Sequence, residues 1–148
     1  MKRFEFRLER LHKLRKQQQL IAESKLMQIQ NEIRGTSERL NGIAQEINEL
    51  GQRITMNSTV AEKATPRMAA WEYSIQLQRE RGRIRWRLAQ LQQLAGQAAH
   101  ELAACRQGVK ILDNLHQRQW NAYQCDVEKE KLGEQDDAAL RKWKQKSE

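Results

Sequence analysis

Residues 26–54, LMQIQNEIRGTSERLNGIAQEINELGQRI, decide the fold of this chain. Leucine and isoleucine recur in this stretch at steps that alternate between three and four residues, with Thr36 filling one step, at Leu26, Ile29, Ile33, Leu40, Ile43, Ile47, Leu50 and Ile54. Alternating steps of three and four are typical of the a and d positions of a coiled coil, where one narrow apolar face packs against a partner helix. We call this face the seam. Because the residues between its members are mostly polar, the seam is stable only when a second helix covers it.

The same spacing extends back from Leu26 to the N-terminus, through Phe4, Leu8, Leu11, Arg15, Gln18 and Ala22. Two successive steps of four, Gln18 to Ala22 to Leu26, interrupt the alternation. Such a doubled step is a stutter, which locally unwinds a coiled coil without breaking it. The sequence therefore predicts a first helix over about residues 3–56.

A break in the pattern follows the first helix. Asn57, Ser58 and Thr59 favour turns, and Pro66 suits the first turn of a new helix, so we expect a loop over residues 57–65 and a second helix over 66–144. The large apolar residues of the seam in the second helix are Leu77, Ile84, Leu88, Leu91, Leu102, Val109 and Leu112, and Arg81, Ala95, Ala98 and Cys105 fill the remaining positions. If the chain turns near residue 61, the numbers of facing residues add up to about 122, and the second helix extends about 45 Å beyond the first.

The expected fold class is therefore all-α. We expect residues 1–148 to form a single antiparallel coiled-coil hairpin of two long helices, with the second helix overhanging at the C-terminus. Composition agrees, since 39% hydrophobic and only 5% aromatic residues are too few for a wide core. No apolar run exceeds four residues, so neither a secretion signal nor a transmembrane segment is expected. Cys105 and Cys125 are too far apart on one helix to form a disulfide, which favours free thiols in a reducing cytoplasm.

No catalytic motif is present, and the sequence predicts a protein that is not an enzyme. His12, His100 and His116 lack the spacing of metal ligands, and no phosphate-binding glycine loop occurs, so no cofactor, metal or small-molecule substrate is expected. The net charge of +8 favours an anionic partner. However, Arg79, Arg81, Arg83, Arg85 and Arg87 alternate along the chain and divide between two helix faces. We therefore expect no specific nucleic-acid binding, and solvated helix faces explain most of these arginines.

Four tryptophans lie on the predicted second helix. Trp71 and Trp86 either cover the edge of the seam or contact a partner, and the two alternatives are equally favoured. Trp143 lies beyond the reach of the first helix, which favours a role as an interface anchor.

Three segments together resemble the flagellar export protein family FliJ. Residues 2–26, KRFEFRLERLHKLRKQQQLIAESKL, contain the family's opening F-x-F-x-L-x-x-L element before a long polar helix. Residues 64–78, ATPRMAAWEYSIQLQ, resemble its transition from loop to second helix. Residues 112–140 resemble its C-terminal pattern, matched at Glu130, Lys131, Asp136, Asp137 and Ala138, with departures at Gly133 and Gln135.

The resemblance implies a stalk-like component of the bacterial type III export apparatus. Members of the family form an antiparallel coiled coil, bind and promote the hexameric export ATPase, contact the membrane export gate and assist export chaperones. The implied location is the bacterial cytoplasm, peripheral at the cytoplasmic face of the inner membrane. The ATPase-binding residues expected here are Arg3, Phe4, Phe6, Arg7, Arg10, Leu132, Asp136, Asp137, Leu140, Arg141 and Trp143. The residues expected to bind the export gate are Trp71, Ile75 and Trp86.

Two alternatives remain open from the sequence. The equivalent stalk protein of a virulence-type injectisome has the same form. A protein of another class, a structural coiled-coil homodimer, would also bury the seam.

Overall fold

The computed structural model describes residues 3–56 and 64–146, with side chains described from Pro66 onward in the second range. Helix α1 covers Glu9–Met56 and helix α2 covers Ala64–Lys146, with 48 and 83 residues respectively. Within these ranges the chain contains no strand. The two helices pack against each other in opposite directions, so the predicted all-α hairpin is confirmed. Most of the predicted loop, residues 57–63, lies outside the described residues. Helix α2 begins two residues before its predicted start and ends two residues after its predicted end.

Helix α1 begins at Glu9, six residues later than predicted. The amide of Glu9 donates a hydrogen bond to the carbonyl of Phe6, with an N–O distance of 3.1 Å, and residues 3–6 are not helical. Residues two apart on a helix point about 200° from each other, so a helical start would have separated Phe4 from Phe6. In the structure the rings of both residues contact His116 on α2. Contact of both rings with His116 requires a non-helical segment, which explains why α1 begins only at Glu9.

The chain divides into two compact units, and the larger part of the seam lies in the unit formed by residues 21–102. Its core contains Ile43, Leu77 and Ile84, against which Leu40, Ile47 and Leu50 pack. Leu91 and Ala98 are the most deeply buried residues, each 2% exposed. Across both units, every predicted seam residue from Leu26 to Ile54 and from Leu77 to Leu112 is buried or half-buried.

Ion pairs at the edge of the seam fix the pairing of the two helices in this unit. Arg39 pairs with Glu80, and Arg87 lies 3.4 Å from Glu32, so the residue numbers of each pair total 119. Lys25 lies 3.0 Å from Glu101, a total of 126. The two totals differ by seven because equivalent heptad positions recur every seven residues. An edge residue of one helix therefore lies between two edge residues of the other and can pair with either of them. The two totals therefore bracket the predicted value of 122.

The second unit contains residues 3–20 and 103–146 of the described chain. Val109 and Leu112 are buried here, and Nε2 of His12 lies 2.5 Å from a carboxylate oxygen of Asp113. Cys105 is half-buried and Cys125 is exposed, and both thiols are free.

The seam of α1 between residues 12 and 26 differs from the predicted one. His12 and Gln19 are half-buried, whereas Arg15 and Gln18 are exposed. The step from Gln19 to Ala22 is three residues, so the predicted stutter is absent and the heptad continues. Polar side chains occupy this stretch of the seam because the leucines of the region, including Leu20 at 64% exposure, lie on other faces.

Candidate protein-interaction surfaces

The C-terminal part of α2 is an uncovered helix. Every residue from 128 to 146 is exposed, and we call this segment the overhang. Leu132, Leu140 and Trp143 on it are 58–69% exposed, and Asp136, Asp137 and Arg141 are exposed as well. Three large apolar side chains in water on one short segment are the kind of feature that a binding partner covers. The residues expected to contact the ATPase from the C-terminal side therefore lie together on one accessible element.

The predicted ATPase-binding residues at the N-terminus divide into two groups. Phe6 is 8% exposed and Phe4 is half-buried, because their rings belong to an aromatic cluster with His116, Trp120 and Tyr123. The ring centroids of Phe4 and Trp120 are 5.1 Å apart in an edge-to-face arrangement, which is favourable for aromatic pairs. In this conformation the two phenylalanines therefore attach the N-terminal segment to α2 and do not present their rings to a partner.

The basic residues of this segment remain accessible. Arg3, Arg7 and Arg10 are exposed. Glu9 forms an ion pair with Lys13 at 3.0 Å, and the hydrogen bond and charge of this lysine lower the pKa of Glu9. The positive charge that the sequence places at the N-terminus is therefore on the surface.

The residues expected to bind the export gate lie near the start of α2. Trp71 is 65% exposed, Trp86 is 66% exposed and Ile75 is half-buried. Both tryptophan side chains are therefore largely exposed, and their role as interface anchors stays a prediction. Between them, the Tyr73 hydroxyl donates a hydrogen bond to Glu46 of α1 at 3.3 Å. The negative charge of Glu46 is the main reason why the pKa of Tyr73 is raised.

A groove rich in arginine was not predicted. Arg79, Arg83 and Arg87 line it from α2, and Arg39 lines it from α1. Glu80 pairs with Arg39 and Glu32 pairs with Arg87, whereas Arg79 and Arg83 form no ion pair with any described residue. Gly35 lies in the groove, and a Cβ atom there would meet nothing within 4 Å. The sequence predicts solvated helix faces for most of these arginines, because only the pairing with α1 shows that Arg79, Arg83 and Arg87 border a concave surface.

No three His, Cys, Asp or Glu side chains in residues 3–56 and 66–146 come together in an arrangement that could hold a metal ion. In the same part of the chain, neither helix contains a stretch that is long and apolar enough to cross a membrane. No protein-family model, curated protein or solved structure matches this chain.

Proposed function

We propose that this chain is a non-enzymatic stalk or adaptor protein of a bacterial flagellar type III export apparatus, and that its overhang binds the hexameric export ATPase. The observation that carries the proposal is the overhang itself, where Leu132, Leu140 and Trp143 are exposed on a helix that α1 does not cover. The sequence resemblance supplies the identity of the partner, and the antiparallel hairpin agrees with the form that the resemblance implies.

The arrangement of the apolar residues supports a helix-in-groove mode of binding. At about 100° per residue, Leu132 and Trp143 lie within about 20° of each other on the helix, three turns apart. Ala139 lies between them on the same face. An amphipathic helix that presents such a stripe is recognised by a hydrophobic groove on its partner. Burial of an exposed tryptophan is a frequent source of binding energy at protein interfaces.

Two other surfaces have assigned roles in this proposal. The exposed Arg3, Arg7 and Arg10 favour an acidic ATPase surface, since opposite charges accelerate association and orient the partners. Trp71, Ile75 and Trp86 contact the export gate, which brings the chain to the cytoplasmic face of the inner membrane, where it also assists export chaperones.

The test is a binding and activity assay with the export ATPase encoded beside this chain. We expect the purified chain to raise the ATP hydrolysis rate and the hexamer fraction. Trp143→Ala should weaken binding about 30-fold, the equivalent of a 2 kcal/mol hot spot. Trp86→Ala is the matched control, because it removes an equally exposed tryptophan outside the overhang and should leave ATPase binding unchanged. Circular dichroism should be the same for both variants.

Two results would reject the proposal. One is a chain that neither binds the ATPase nor alters its hydrolysis rate. The other is a Trp143→Ala variant that binds as tightly as the parent.

A further inference from the structure

We propose that the acidic face of the overhang of one copy binds the arginine groove of a second copy. This inference does not depend on the proposed function, because it concerns other residues and a single purified protein.

The groove offers positive charge that the chain does not fully neutralise. Arg79, Arg83 and Arg87 follow one another at intervals of four residues, so their Cα atoms are about 6 Å apart along one face of α2. Arg87 is partly satisfied by Glu32 at 3.4 Å. Arg79 and Arg83 have no acidic partner in the described chain. A guanidinium group binds a carboxylate through two parallel hydrogen bonds, so a carboxylate-bearing helix fits this groove.

The acidic face supplies carboxylates at the same spacing. Asp126, two residues before the overhang, and Glu130 and Glu134 on it also follow one another at intervals of four. All three are exposed, and within the described residues Asp126 lies 4.0 Å from the ammonium group of Lys129. These three residues lie within about 80° around the helix, on the opposite side from Leu132 and Trp143. The face that we assign to self-association is therefore separate from the face that we assign to the ATPase.

Matched spacing and opposite charge identify a second copy as the occupant of the groove. Three arginines and three carboxylates, both at steps of four on a helix, form three ion pairs when the helices lie side by side. The two sets belong to the same continuous helix, α2, so they meet only between two chains. Each chain then offers one groove and one acidic face, which makes the contact head-to-tail. Because the ion pairs are solvent-exposed, the association is weak and is reduced by salt.

Sedimentation velocity on the full chain, over a range of concentrations at low salt, measures this association. We expect the average mass to rise with concentration and to fall when salt is added. The groove variant Arg79→Glu with Arg83→Glu and the overhang variant Glu130→Lys with Glu134→Lys should each associate at least about tenfold more weakly than the parent. An equimolar mixture of the two variants should associate again, because the reversed charges of one variant pair with those of the other.

A charge-matched control separates a specific contact from a general effect of net charge. Arg67→Glu with Arg118→Glu changes the net charge by the same amount as the groove variant, and both arginines are exposed and lie outside the groove. This control should associate like the parent.

Three outcomes would overturn the inference. The first is a parent chain that remains monomeric at every concentration at low salt. The second is a mixture of the two variants that stays monomeric while the parent associates. The third is a control variant that loses association as fully as the groove variant. Circular dichroism verifies that each variant is folded, and the overhang variant alters only exposed residues.

Discussion

Substitution of Ile43 by aspartate is the sharpest test of the packing between α1 and α2. Ile43 is 7% exposed and belongs to the core with Leu77 and Ile84. Loss of a buried isoleucine side chain costs about 2–5 kcal/mol. A carboxylate left without a partner at such a site adds several kcal/mol more, unless it becomes protonated. We therefore expect Ile43→Asp to lower the free energy of unfolding by at least about 4 kcal/mol at neutral pH.

The charged neighbours of Ile43 determine whether a negative or a positive charge at this position destabilises the fold more. Arg39, Glu46 and Glu80 line the surface groove next to it, and Arg39 already pairs with Glu80. A new carboxylate at position 43 would therefore meet two carboxylates and one arginine that is already paired. Ile43→Lys should destabilise less, because the ammonium group can reach the carboxylates while the aliphatic part of the side chain stays in the seam.

Thermal unfolding followed by circular dichroism measures both effects. A loss of about 4 kcal/mol should lower the melting temperature of a chain of this size by roughly 10 °C. The gap between Ile43→Asp and an uncharged Ile43→Asn control should narrow as the pH falls towards about 4, because burial and the neighbouring carboxylates raise the pKa of the new carboxyl group above its value in the unfolded chain. An Ile43→Asp variant that is as helical and as heat-resistant as the parent would show that Ile43 does not hold the two helices together.

Two further predictions concern other contacts. Phe6→Ala should release residues 3–8 from α2 and retain most of the helix content. The reason is that the centroid of the Phe6 ring lies 4.9 Å from that of His116 and 6.3 Å from that of His12, and these contacts would be lost. Faster amide hydrogen exchange at the start of α1 would support this, whereas exchange as slow as in the parent would contradict it. Glu46→Gln should lower the pKa of Tyr73, because the Glu46 carboxylate disfavours the phenolate. Since the folded pKa of Tyr73 lies above its unfolded value, the parent loses stability as the pH rises above about 10. Phenolate absorbance in a Tyr123→Phe background measures the shift, and identical titration curves with and without Glu46 would refute the assignment.

The helix pairing was predictable because periodicity is a strong signal in a long amphipathic helix. Between Leu26 and Ile54 the seam residues all lie on the same face of the helix. Each of them independently indicates which face packs against the partner helix. Antiparallel pairing then follows from a single turn, and the ion pairs of Lys25 and Arg39 agree with it. Such redundancy is absent near the N-terminus, where polar and apolar residues compete for the seam.

The start of α1 and the arginine groove were not predictable by the same reasoning. Phe4 and Phe6 leave the helical pattern because of rings on α2 that are more than 100 residues away in sequence. The F-x-F spacing was a usable signal, since alternation of large aromatic residues suits an extended segment on a flat surface better than a helix. The groove depends on which face of α2 meets Gly35 and Arg39, and periodicity alone does not give that detail.

Both proposed interactions would stabilise the overhang as a helix. A helix that no partner covers depends on its own side chains, because most helical stability in proteins comes from tertiary packing of an amphipathic face. Glu130 and Glu134 repel each other at a spacing of four residues, and Gly133 costs about 1 kcal/mol relative to alanine. Asp137 and Arg141 provide one favourable pair at the same spacing. An arginine groove would relieve the repulsion on one face, and an apolar groove would cover Trp143 on the other. Because either partner would favour the helical form, binding at one face should strengthen binding at the opposite face, provided that the two partners do not collide.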